Sequence, residues 1–206
     1  SRIHATSQVP AKKTRFITYC QRIAAILLLP AIIAIVALMM KKDHQEPLIA
    51  YNEVTAPYGM VSSLTLPDSS KVWLNAGSTL KYPAAFTSNV REVEMSGEAY
   101  FEVHADKEHP FIVNTGDLKV TATGTAFNIC SFAKAQEEVI TLVTGKVAVS
   151  QENNIKHLLP GQQLNYQRAS KSMEITDIDT YKYISWKDGI LAFRDDPLKS
   201  IFHRLE

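Results

Sequence analysis

The chain is poor in the residues on which disulfide scaffolds and zinc modules depend. Its 206 residues include two cysteines, Cys20 and Cys130, and a pair so far apart forms neither a disulfide framework nor a zinc pattern. The short signatures of common enzymes are missing too: there is no GxSxG, Walker glycine loop, GxGxxG, HExxH or CxxC. No repeat period stands out. Acids are absent from the first 22 residues, which carry Arg2, Lys12, Lys13, Arg15 and Arg22, whereas 17 basic and 21 acidic residues lie beyond Met40. A net charge of +1 therefore hides a change of sign along the chain.

The sign changes across IAAILLLPAIIAIVALMM, Ile23 to Met40, 18 residues without a charge. At 1.5 Å per residue such a helix reaches roughly 27 Å, close to the ~20 residues that span a bilayer, and the stems of Arg22 and Lys41 extend it by snorkelling. A cleaved signal has a shorter apolar region closed by small residues, which MMKKDH does not offer. The expectation is a retained transmembrane helix with the basic segment 1–22 in the cytoplasm, by the positive-inside tendency, and residues 43–206 on the far side. Cys20 and Cys130 are then on opposite sides of the membrane. Five basic residues beside a span are explained by topology, so they imply no nucleic-acid role. Pro30 removes one helical hydrogen bond near mid-membrane. The chain begins at Ser1 rather than at a methionine and ends inside an expected helix, as a piece of a longer protein would.

Beyond a polar linker, 41–53, the sequence alternates. In GEAYFEVHADKEHPFIV and the residues before it, Val93, Met95, Ala99, Phe101 and Val103 share one parity, and Glu92, Glu94, Ser96, Glu98, Glu102 and His104 the other. A period of two is a strand with one apolar face, and places Glu98 and Glu102 on a solvated face rather than in a catalytic pair. Further strands are expected at Phe111 to Asn114, Leu118 to Ala122, Thr125 to Cys130, Glu138 to Thr144, Lys146 to Gln151, Ile155 to Leu158 and Gln163 to Gln167. Leu64, Leu66, Val72 and Leu74 form another pair around PDSS, where Asp68 can bond its own turn backbone. Pro160 with Gly161 next to it suits a type II turn. A sandwich, a roll and a solenoid-like stack all fit this spacing. After Lys171 a strand, Gly189 to Phe193, and a helix opened by Asp195, Asp196 and Pro197 suggest a second, α+β module.

His104, Asp106 and His109 are of ligand type, but three such groups on a hydrophilic loop are ordinarily solvated. ATGTAFNI, 122–129, has the small residues of an anion loop, yet the residues after Thr125 have strand character and do not open a helix. No cofactor or metal site is expected. Tyr58, Trp73 and Tyr100, if exposed, would offer a carbohydrate platform, so a tethered module binding a glycan or envelope polymer is the alternative reading.

In order, LPDSSKVWLNAGSTLKYP, REVEMSGEAYFEV, HPFIV, VTATGTAFNI, TLVTGKVAV, LLPGQQL and WKDGILAFRDDPL resemble the motif series of the FecR family. These are bacterial transmembrane anti-sigma regulators of ferric citrate and glycan uptake systems. The resemblance implies a mainly β protein: a cytoplasmic segment 1–22, a single transmembrane helix 23–40, a linker 41–53, a periplasmic all-β sandwich or solenoid-like FecR domain 54–170, and at 171–206 a linker and the start of a C-terminal module like the short N-terminal domain of secretins and TonB-dependent receptors. It implies a non-enzymatic relay from the N-terminal signalling domain of a TonB-dependent outer-membrane transporter to a cytoplasmic extracytoplasmic-function sigma factor. The sigma-binding helices would precede Ser1, and the transporter-binding module would continue beyond Glu206. Asp68, Gly97, Glu98, Phe101, Gly124, Thr125, Phe127, Gly145, Pro160 and Gly161 match the motifs, as determinants of fold rather than of chemistry.

Overall fold

The structure, a computed structural model, describes residues 50–190 and Ala192, together with residues 22, 23, 26, 28, 30–33, 35 and 36. The chain divides into two compact units, Ser1–Pro47 and Leu48–Glu206. In the first, the described residues are helical, Pro30 included. Ile26, Ile32, Ile33 and Ile35 are exposed there. Among the described residues no helix is long and apolar enough to cross a membrane. Residues 37–40 of the apolar run, the linker up to residue 49 and the expected helix from Asp195 lie outside the described residues.

The second unit is built on one strand. β5 (Arg91–Glu102) is 12 residues long and buries alternate side chains along most of its length, as its sequence parity predicts. Its first half pairs antiparallel with β4 (Thr79–Pro83) and parallel with β6 (Phe111–Asn114). Its second half pairs with β3 (Lys71–Leu74) and β8 (Ala126–Ser131). Two sheets therefore share β5. One continues outward to β1 (Tyr51–Thr55) on one side, and to β7 (Lys119–Ala122), β10 (Val147–Gln151) and β11 (Asn154–Leu158) on the other. The other sheet adds β2 (Ser62–Thr65) beyond β3, and β9 (Glu137–Thr144), β12 (Gln162–Gln167) and β13 (Ser172–Asp177) beyond β8.

A straight β5 would hold Arg91 and His104 about 40 Å apart at ~3.3 Å per residue. Yet Arg91 Nη1 donates to the His104 carbonyl at 3.1 Å. The strand must turn sharply, and the change of sheet falls at Gly97, the first residue paired in the second sheet. Gly97 has φ +105, and a Cβ there would come within 2.7 Å of Ser78 Cα. Only glycine accepts both constraints.

The fold so made is mainly β, 13 strands in a nearly closed sheet that folds at β5, and the inner faces on either side of the bend belong to one cluster that joins Val93, Val113, Val120 and Val149 to Leu74, Phe127, Ile140 and Leu164. Phe101 ties the sheets together, stacked on Phe127 at 5.1 Å and set against Phe111 at 6.1 Å. Burying each such ring contributes about 2–3 kcal/mol. Sequence alternation locates most strands to within a residue or two but passes over β1, β4 and β13. Ser172–Asp177, in the stretch expected to be linker, is an edge strand in full register with β12. Gly189, expected to open a strand, instead closes a 3-10 helix in the left-handed region at φ 73.

Gly97→Ala should lower stability by about 3 kcal/mol, the combined scale of a non-glycine residue at positive φ and an overpacked contact. Urea denaturation followed by far-UV circular dichroism measures it; an unchanged midpoint would show that β5 bends elsewhere.

Candidate functional site

The inner parity of β5 begins with a charge. Arg91 shares a face with Val93 and Met95 and is 4% exposed, so its guanidinium needs partners on all sides. Nη1 donates to Asp68 Oδ2 at 2.6 Å, Nε to the His109 carbonyl at 2.8 Å, and Nη2 to the Asp106 carbonyl at 3.4 Å. Its plane lies 5.5 Å from the Phe111 ring. Asp68 in turn accepts from the Ser70 N–H at 3.0 Å and the Ser70 hydroxyl at 2.6 Å, the local turn bonding its sequence position suggests. Ser70 Oγ accepts from the His104 N–H at 3.0 Å. One ion pair therefore fastens the 66–70 loop to the 103–110 loop at the end of the core.

These two loops stand between two clefts. One, of about 480 Å³, is lined by Pro67, Phe86, Asn89, Arg91, Asp106 and His109 among others. The other, of about 530 Å³, is an open groove bordered by Lys71, Glu102, His104, Gly124, Thr125 and Thr144. Asp106 and His109 come together, with Nδ1 2.8 Å from Oδ2, while His104 is engaged through its backbone in the Ser70 contact. The Asp106 carboxyl is held down to about 2 by the His109 ring, by the His109 N–H and by that of Glu108. This is a loop-closing turn, and no cluster of three metal-type ligands occurs among the described residues.

Several motif residues converge at the groove. Gly124, at φ +127, lies so close to Ala105 that a Cβ would meet the Ala105 Cα at 2.9 Å. Gly145 packs on Thr125, whose carbonyl accepts from the Val103 N–H at 2.9 Å. Three turns thus stack on one another. Phe101 and Phe127 lie in the core, and Pro160 and Gly161 form a turn closed by the Gln162 N–H on the Leu159 carbonyl at 3.0 Å, with Gly161 at φ 86.

Glu98 departs from the expected solvated face. It is half-buried, and its two oxygens accept from Asn75 Nδ2 at 2.7 Å and Asn128 Nδ2 at 2.9 Å. Glu102 is exposed, as its parity predicts. The aromatic platform of the alternative glycan-binding reading is not formed: Tyr58 is 92% exposed, but Tyr100 is 4% exposed. Lys187 Nζ lies 5.4 Å from the Tyr100 ring and 5.7 Å from that of Trp73. Burial, then the charges of Glu102 and Asp188, push the Tyr100 hydroxyl up to about 12.

A second buried charge has no counterpart among the sequence expectations. Glu138 is fully buried, accepting from Thr115 Oγ1 at 2.5 Å and Arg168 Nη2 at 3.1 Å. Arg168 also binds Asp117 at 2.7 Å and the Phe132 carbonyl at 2.7 Å. Burial pushes the Glu138 carboxyl above its ordinary range, against the hydrogen bonds from Thr115, Ser131 and Arg168. Arg91 stands beside the first residue of β6 and Thr115 comes just after its last, so an arginine network closes each end of the core.

Asp68→Ala should cost about 3–5 kcal/mol by leaving Arg91 buried without its counter-charge, measured by urea denaturation. Replacing both partners with apolar residues should cost less than the sum of the single changes, and strict additivity would show that the pair is uncoupled. Because the Asp106 carboxyl is depressed from 3.8, its share of stability is complete above that pH and is lost as the pH falls through about 2. His109→Ala should return its NMR titration towards 3.8; an unmoved midpoint would rule out the ring contact as the cause.

The FecR protein family matches residues 52–156. Among solved structures, two of a candidate anti-sigma factor from Parabacteroides distasonis ATCC 8503 are similar. One, at 2.50 Å resolution, has a TM-score of 0.71 and 35% identity over 76% of this chain and 74% of that one. The other, at 1.65 Å resolution, has a TM-score of 0.70 and 35% identity over 75% and 73%. Comparison with curated proteins gives no match. With half its length matched by the family, and its fold shared with those structures at 35% identity over three quarters of the chain, this chain belongs to the FecR family.

Proposed function

We propose that the chain is an anti-sigma regulator, a single-pass inner-membrane protein whose β domain works on the periplasmic side. Membership of the FecR family, with 35% identity to structures of a candidate anti-sigma factor over three quarters of the chain, is the observation that carries this reading. It makes a sigma factor the partner in general. The finer relay rests on sequence. Ile23 to Met40 is long enough to span, and isoleucines exposed on its described helical residues suit lipid better than water. Segment 1–22 then lies in the cytoplasm, on the side of an extracytoplasmic-function sigma factor. The side beyond the span receives its signal from the signalling domain of a TonB-dependent transporter.

The β domain supports such a role by the way its side chains are used. Its buried charges fasten loops and close the core, and its motif residues form turns and aromatic stacking. A rigid body of this kind transmits position.

Alkaline phosphatase fused after Glu206 should be active and green fluorescent protein at the same place dark; the reverse pattern overturns the topology. Deleting the gene should change transcription from promoters of one sigma factor, and that sigma factor should co-purify with the intact protein. Loss of neither effect nor complex on deleting the N-terminal region would overturn the sigma assignment.

A further inference from the structure

The outer face of the second sheet carries a row set by register: Trp73 opposite Tyr100, Tyr100 opposite Asn128, Asn128 opposite Thr141, and Thr141 opposite Gln163. Outer faces of such sheets ordinarily meet water. Here Tyr100, Asn128, Thr141 and Gln163 are all 5% exposed or less, so something covers them. At the Trp73–Tyr100 end the chain after β13 supplies the cover: a one-turn helix at Tyr181–Ile184 is followed by the 3-10 turn Ser185–Asp188, in which Ser185 and Trp186 are buried. Lys187 sets its ammonium over both rings of the row.

The attachment is of an unusual kind. The last described backbone hydrogen bond from this segment to the sheets is Ile178 N–H to the Gly161 carbonyl at 2.8 Å. Beyond it, the described backbone bonds run within the segment, from Tyr183 to Thr180, Gly189 to Trp186 and Ile190 to Ser185. Three buried polar atoms of cover and row lack a protein partner: Asn128 Oδ1, Ser185 Oγ and Trp186 Nε1. Each favours the opened form, where water can reach it. A tryptophan and a cation over two rings hold the segment down, and unsatisfied polar groups push it up.

We propose that residues 178–190 form a latch, which opens as a unit while the strands stay folded and uncovers the Trp73–Tyr100 end of the row. In the regulator of the preceding section, on which this last step rests, the latch joins the β domain to the chain beyond residue 190, and its opening is the conformational change that alters output.

Both tryptophans of the chain, Trp73 and Trp186, belong to this contact. Tryptophan fluorescence of the full chain in detergent therefore reads the latch, and far-UV circular dichroism reads the strands. On titration with urea the fluorescence transition should come first; superimposable transitions overturn the latch. Trp186→Ala should speed proteolytic cleavage within 178–190 by roughly tenfold or more, since cleavage tracks the open population, with little change in the dichroism midpoint. Lys187→Gln, which leaves the tryptophan in place, should do the same to a smaller extent, and protects the test against a Trp186 variant that fails to fold. Cleavage unchanged in both variants overturns the proposal. In cells, either variant should shift sigma-dependent transcription at unchanged protein level. An open latch with unchanged output would refute its regulatory role, whereas gene deletion without effect on that promoter would refute the anti-sigma reading itself.

Discussion

Everything in the β domain depends on β5 belonging to two sheets at once. A strand can serve two sheets only if it bends, and the bend needs a residue without a side chain where Ser78 presses against the backbone. With Gly97 in place, the first half of β5 faces Phe111 and the second half carries Phe101 and meets Phe127, so one strand brings three phenylalanine rings of the core together. The parallel pairing with β6, which otherwise requires a long crossover, becomes possible through an eight-residue connection because the bent strand brings its own ends close.

The same economy governs the charges. Arg91 and Arg168 are each committed to an acid and to several carbonyl oxygens. Interactions of this type add little net stability when compared with apolar substitutes, but they penalise any arrangement in which the loops are misplaced. Their worth is in fixing where the 66–70, 103–110 and 132–135 loops sit.

How much of the fold is legible in the sequence depends on the physics behind each signal. Alternation locates β5 and the strands from β6 to β12 because their inner positions are apolar and their turns are marked by glycine, asparagine or proline. It misses β1, an edge strand with no buried residue, and β13, whose residues are mostly exposed, because edge strands have little apolar pattern to show. Asp68 is legible as a turn former, but its pairing with Arg91, 23 residues away, is not. A signal exists: Arg91 stands on the apolar parity of β5, two residues before Val93, and a charge on that face demands a buried partner. Glu98 and the row from Tyr100 to Gln163 escape for another reason. Their parity is that of a solvated face, and only the assembled structure, in which Lys187 reaches the Tyr100 ring from beyond β13, shows that they are buried.

The chain enters this domain along an edge strand of one sheet, β1, and leaves it along an edge strand of the other, β13. A pull applied between these two ends would cross from sheet to sheet, and the strand ladder that joins the sheets runs through β5. A load so applied would pass through the longest strand, while β1 and β13, each paired with a single neighbour, would part before the aromatic centre was reached.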